Sequence, residues 1–179
     1  MMLPPWPGWD GLHPLIIHFP IGLLLVAPVF VLLALVFRRN ADSLAMAALL
    51  LLALGTLATY VAVSTGEAAG ELADHNAAIN AVIEKHSELA ETTRAVFTAL
   101  TLLYAAVLLA PRMVPALRRP ALVRATHGVF LVLLLAGSAL VANTAHQGGV
   151  LVHQLGVHAM MPGSPAPPGG PPATVPGER

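Results

Sequence analysis

The stretch that decides the fold is Leu12-His13-Pro14-Leu15-Ile16-Ile17-His18-Phe19-Pro20-Ile21-Gly22. It opens an apolar run in which no residue from Leu15 to Phe37 is charged. At about 1.5 Å per residue, such a run is long enough to cross a hydrocarbon core of roughly 30 Å. His13 and His18 sit where the run enters the membrane. An ionisable side chain at that depth costs free energy, so its presence needs a reason. Pro14 fits the first position of a helix, where a missing N–H costs nothing, and this makes His13 the expected N-cap. Pro20 and Pro28 lie inside the run, and each frees a carbonyl one turn earlier.

Composition agrees with a membrane chain. Of 179 residues, 56% are apolar and only 10% charged, and the mean hydropathy is +0.76. An ordinary soluble domain has about 25% charged residues. The formal net charge is zero and there is no basic patch, which argues against nucleic acid as a partner. Cysteine is absent. That excludes disulfides, thiolate metal sites and Cys-ligated iron–sulfur clusters, and also the thioether attachment of c-type haem. Histidine, with eight copies, is the one strong transition-metal ligand present in number. The first eleven residues hold no Lys or Arg, so the apolar run reads as a retained span rather than a secretory signal.

Further along, the pattern repeats. Residues 1–12, with Trp6 and Trp9, are interrupted by Pro and Gly and read as a non-helical, interfacial segment. The membrane domain covers 13–158, with spans expected at about 15–37, 44–64, 95–110 and 125–144. Residues 64–94 hold six of the nine acids, and the spacing of Ile79, Val82, Ile83, Leu89 and Phe97 predicts a helix starting near Ala77. That helix extends beyond the membrane before entering it. Gln147-Gly148-Gly149 reads as the break that ends the last helix, and 159–179 as a Pro/Gly-rich disordered tail. The fold class is therefore all-α: an antiparallel four-helix bundle integral to the membrane, with the third helix protruding on the outer side.

Arginine gives the orientation. The first and third loops hold six Lys or Arg residues, the second holds Lys85 and Arg94, and the N-terminus holds none. The positive-inside rule then puts both termini and the acidic second loop outside, in a bacterial inner membrane. Seven histidines fall on that outer side, with His127 left near the inner side. For His127, His153 and His158 the plain reading is a headgroup or hydrogen-bonding residue, and His75 reads equally as a solvated loop residue. His18, His86 and His146, with His13, come to a similar height on different helices and are expected to face one interior. Facing imidazoles can hold a metal or a haem in a bundle. The expected axial pairs are His18 with His146, then His13 with His86. The same four could instead hold copper or zinc, which takes three or four converging donors. No nucleophile elbow, P-loop, dinucleotide fingerprint or kinase set is present, so no catalytic residue is assigned.

The words Leu12-His13-Pro14-Leu15-Ile16-Ile17-His18-Phe19-Pro20-Ile21, Ser64-Thr65-Gly66-Glu67-Ala68-Ala69, Glu84-Lys85-His86-Ser87-Glu88 and Thr144-Ala145-His146-Gln147-Gly148-Gly149 carry a resemblance. In this order they resemble a bacterial family of four-span membrane proteins known as domain of unknown function 2231. The resemblance covers the chain to about Val157. Where the family ends in a phrase with Glu, Tyr and His, this chain has Val150, His153 and Leu155. Relatives look like membrane modules fused to redox domains of Rieske or cytochrome c type, which implies haem b and electron transfer.

The expected function is thus an electron-transfer module in the lipid bilayer, serving a redox partner protein or a second copy of itself. The alternatives are a non-redox anchoring or assembly subunit and a copper- or zinc-binding protein of the periplasmic face. The topology has a direct test in single cysteines on the cysteine-free chain. Ser87→Cys is expected to react with an impermeant maleimide from the outer side, and Arg119→Cys only after the inner side is opened. Outer labelling of position 119 overturns the orientation.

Overall fold

In lipid every backbone N–H and C=O must be satisfied within the protein, and a helix does this segment by segment. The structure, a computed structural model, describes residues 8–73 and 75–157. Among the described residues there are only helices and turns. Residues 1–7 and His158, with the expected tail at 159–179, lie outside them. A short 3-10 turn, Asp10–Leu12, leads into α1 (His13–Ile16) and α2 (His18–Val36). These two form one candidate span, His13–Val36, with Ile17 as a turn residue between them. Pro20 accounts for the interruption, because it has no N–H to offer the carbonyl of Ile16. Leu12, not His13, takes the N-cap position, so the expected cap role of His13 is corrected.

The other helices are α3 (Ala41–Gly70), α4 (Ala77–Met113) and α5 (Pro120–His153). Asn76 starts α4: its Oδ1 accepts from the N–H groups of Ala78 and Ile79 at 3.0 and 2.9 Å. These helices have 30, 37 and 34 residues, so at about 1.5 Å per residue each is longer than a hydrocarbon core requires. Protrusion was expected of the third span alone, but α3 and α5 share it. Two expected boundaries are corrected. Ser64 does not end the second span's helix, which runs on through Thr65, Gly66 and Glu67 to Gly70. Gln147-Gly148-Gly149 does not break the last helix, which continues to His153. Gly148 and Gly149 keep right-handed backbone. The positive φ lies at Gly156 (+68°), where the chain has already left the helix.

The four spanning helices pack in a ring, each against its two neighbours: α2 on α3, α3 on α4, α4 on α5 and α5 on α2. Among the described residues the diagonal pairs α2 with α4 and α3 with α5 make no backbone contact. The core is built from Leu24, Val31, Leu52, Phe97, Tyr104 and Leu134, each essentially inaccessible. Threonine hydroxyls add polar contacts: Thr56 to Thr101 at 2.8 Å joins α3 to α4, and Thr93 to Thr144 at 3.0 Å joins α4 to α5. Lipid and water supply no hydrophobic drive between helices here, so close packing at small residues does most of the holding.

The glycines of α5 separate packing from propensity. A Cβ on Gly137 would sit 2.9 Å from Cζ of Phe97, whose ring is fully buried and has nowhere to go. A Cβ on Gly128 would meet nothing within 4 Å. Thermal unfolding in detergent is expected to show Gly137→Ala destabilised by about 1–3 kcal/mol. Gly128→Ala should be unchanged or stabilised by about 0.5–1 kcal/mol.

Candidate functional site

Two of the four expected site histidines come together. His13 at the top of α1 and His86 on α4 approach across the bundle axis, with ring centroids 6.4 Å apart and planes at 84°. Both are half-buried. Each reaches the next helix in its own hairpin. His13 Nδ1 lies 2.9 Å from the carbonyl oxygen of Ala62 on α3, with the Thr65 hydroxyl at 3.3 Å. His86 Nδ1 lies 3.0 Å from the carbonyl oxygen of Thr144 on α5. A carbonyl can only accept, so in both rings Nδ1 carries the proton and donates. In the neutral ring Nε2 is then the lone-pair acceptor. This is the arrangement of ligating histidines, whose second nitrogen is tied to a carbonyl or carboxylate that sets the tautomer and the ring plane.

A cavity of about 440 Å³ opens around the pair between the helices. Its walls are mainly apolar, with Ile17, Ile21, Leu24, Ile83 and Val141 among them. Its polar lining includes Thr59, Thr93, Thr144 and Ser87. The carboxylates of Glu67 and Glu91, both exposed residues, stand at its edge, and among the described residues no lysine or arginine lines it.

His18 and His146, expected as the first axial pair, do not join the site. Both are exposed and neither lines the cavity. The reason is azimuth. His18 follows His13 by five residues, and His146 follows the buried Val141 by five. At about 100° per residue that offset turns a side chain roughly 140° away from the inward face. Similar height on the bundle is therefore not a shared interior. Among the described residues, no three His, Cys, Asp or Glu side chains come together as a metal-ligand group, and of the expected four only His13 and His86 lie side by side.

The remaining histidines divide simply. His75 is exposed and contacts Asn80 Oδ1 through Nδ1 at 2.7 Å, just before α4. His153, at the end of α5, is exposed at the cavity's rim. His127 is buried near the other end of the bundle. Its Nδ1 donates to Val123 in its own helix at 2.8 Å, and its ring meets Tyr104 edge-on at 5.8 Å. The Tyr104 hydroxyl is buried without a hydrogen-bond partner. Sequence reasoning missed the residues that seat the imidazoles: Thr65 and Gly66 beside His13, Thr144 and Gly148 beside His86. They stood in the quoted words, where Gly148 alone was given a part, as a helix breaker.

The fold and the site thus define a class: an integral-membrane four-helix bundle with two tautomer-fixed imidazoles facing each other at one end. The family model described as predicted membrane protein, DUF2231, matches residues 10–161, and the chain belongs to that family. No curated protein and no solved structure matches the chain.

Exposure gives this division a test. His18→Leu and His146→Leu are each expected to stay within about 0.5 kcal/mol of the parent in thermal unfolding, as for other surface positions. His13→Leu removes the donor to Ala62 and Thr65 and should cost more, about 1 kcal/mol or above. A larger loss for His18→Leu than for His13→Leu would reverse the assignment.

Proposed function

We propose that this protein is a membrane electron-transfer module of the bacterial inner membrane, with both termini outside, that holds one b-type haem between His13 and His86. The observation that carries the reading is the donor set. Two imidazoles with Nδ1 pinned and Nε2 free are the complete protein ligation of a bis-histidine haem. A bare zinc or copper ion takes three or four protein donors. The apolar walls suit a porphyrin face, and the cavity lies within the range of about 300–1,000 Å³ typical of ligand pockets. When bound, the haem would supply one-electron chemistry. The chain's own residues do the rest. Ala62 and Thr144 hold the two rings in the ligating tautomer, and Thr65 shares the first of these bonds. Ile17, Ile21, Leu24, Ile83 and Val141 keep water from the inner side of the cavity.

A second reading, a copper or zinc ion at the same two nitrogens, rests on a different observation. Glu67 and Glu91 are the carboxylates at the cavity edge, and with no lysine or arginine beside them that charge favours a cation over a group bearing propionates. On this reading the two nitrogens are the protein's donors, water completes the coordination, and the carboxylates contribute charge only.

The absorption spectrum of the purified protein separates the readings. A Soret band that His13→Leu and His86→Leu each abolish, with insertion and monodispersity retained, is the result expected. The corresponding loss of ligand affinity is about 10–100-fold or more. No Soret band even after haem supplementation removes the haem. Near-stoichiometric copper or zinc by mass spectrometry would then support the second reading. Absence of both leaves the alternative of an anchoring or assembly subunit, whose histidines only satisfy polar contacts.

A further inference from the structure

The two halves of the bundle seat their imidazoles by the same device. His13 donates to the carbonyl of residue 62 and lies against Gly66, four residues on: a Cβ there would be 2.8 Å from the ring's Cε1. His86 donates to the carbonyl of residue 144 and lies against Gly148, again four residues on, with Cε1 3.2 Å from the corresponding Cβ position. The register continues inward. Eleven residues after each histidine comes a fully buried side chain, Leu24 in one half and Phe97 in the other. Eleven residues before each glycine comes a second glycine, Gly55 and Gly137. Leu24 packs on Gly55, where a Cβ would be 2.6 Å away, and Phe97 packs on Gly137 at 2.9 Å. One turn deeper, Ala27 corresponds to Leu100 and Leu52 to Leu134, all buried. The ring order of helices, with α2 and α4 on one diagonal and α3 and α5 on the other, is what a two-fold axis along the bundle produces. Parallel repeats about such an axis are a known way of building membrane bundles.

We infer that the bundle is two copies of one helix hairpin, and that its histidine pair is a two-fold site in which Gly66 and Gly148 are equivalent positioning residues. The inference rests on His13 and His86 being the functional pair, but not on haem being the occupant. Its chemical content is the ligand class. Both halves hold the ring by Nδ1 and leave the same atom, Nε2, without a hydrogen bond to the described residues, in two rings whose centroids are 6.4 Å apart. The site therefore takes an electron-pair acceptor, a metal centre held by two equivalent nitrogens, and discriminates against anions and against carbonyl-type acceptors. The glycines act through the imidazoles. Within a helix the N–H of residue i+4 already holds the carbonyl of residue i. A glycine there leaves uncovered the flank by which a second donor reaches that carbonyl. Its replacement by alanine pushes the ring off both the carbonyl and the axis.

The test uses full-length protein labelled with ¹⁵N-histidine, in detergent at neutral pH and without added metal or haem. The ¹⁵N shifts of His13 and His86, assigned by loss of signal in His13→Gln and His86→Gln, report the tautomer directly. Both rings are expected as Nδ1–H with unprotonated Nε2. Gly66→Ala should shift or broaden His13 and leave His86 in place. Gly148→Ala should do the reverse, more mildly because its contact is looser. Gly22→Ala, whose Cβ meets nothing within 4 Å, should move neither. An Nε2–H tautomer at either ring in the parent protein overturns the inference, whatever the variants do. So does a Gly66→Ala or Gly148→Ala protein that folds with both rings unchanged. If Gly66→Ala fails to fold, the parent tautomers and Gly148→Ala still decide. The same tautomers in a protein that takes up no haem would sink the haem reading and leave the two-fold site standing. In a protein that does bind haem, each glycine variant should weaken binding about 10-fold or more, as loss of an orienting contact does.

Discussion

The interaction on which the histidine end of this bundle depends is a second hydrogen bond to a helix carbonyl that is already in use. Ala62 and Thr144 each lie inside a continuous helix, where the carbonyl accepts the N–H four residues on. An imidazole from the neighbouring helix then claims the remaining lone pair, at 2.9 Å in one hairpin and 3.0 Å in the other. Away from water a polar side chain without such a partner would be costly. The bond therefore accounts for how His13 and His86 are tolerated where they are half-buried in the bundle. It also fixes which nitrogen of each ring is left over, and that remaining nitrogen is what gives the cavity a chemistry.

Such a bond requires the helices to lie close, and the glycines make that possible. Gly66 and Gly148 lie under the rings, Gly55 under Leu24 and Gly137 under Phe97. Each hairpin is thus held at two heights by a side chain of one helix against bare backbone of the other. Where apolar attraction between helices is weak because lipid is equally apolar, dispersion contacts of this kind decide the packing. The threonine pair Thr56 with Thr101 then ties one hairpin to the next, and Thr93 with Thr144 ties the two helices of the second hairpin. The same small residues that bring the helices together also shape the opening in which the imidazoles meet.

Much of this was legible in the sequence. Four uninterrupted apolar stretches marked the four long helices, and the stripe of Ile79, Val82, Ile83 and Leu89 placed the start of α4 at Ala77, where it lies. His13 and His86 stood among the site candidates. The exposure of His18 and His146 was not legible, because height along a helix can be counted in sequence, whereas azimuth depends on which face packs inward. A five-residue offset from a buried position settles that only once the buried position is known. Gln147-Gly148-Gly149 was misread because glycine's cost in a helix belongs to water, where the unfolded backbone is free and solvated. In a bundle whose neighbour fills the space above it, Gly148 is a contact surface and α5 passes through it.

The likeness of the two hairpins stops near the end away from the histidine pair. Val31, eighteen residues after His13, and Ala45, twenty-one before Gly66, are small and apolar, and both are buried. The matching positions in the second hairpin are Tyr104 and His127. The Tyr104 hydroxyl is buried without a partner, and the His127 ring is tied to its own helix while it abuts Tyr104. An unsatisfied buried hydroxyl costs about 1–3 kcal/mol. Its presence in one half only shows that the inner core tolerates divergence between the hairpins. At the outer end the two histidines, their two carbonyls and their two glycines agree position for position. The two hairpins thus diverge at one end, where a cost falls on one of them alone, and agree at the other, where both seat an imidazole in the same way.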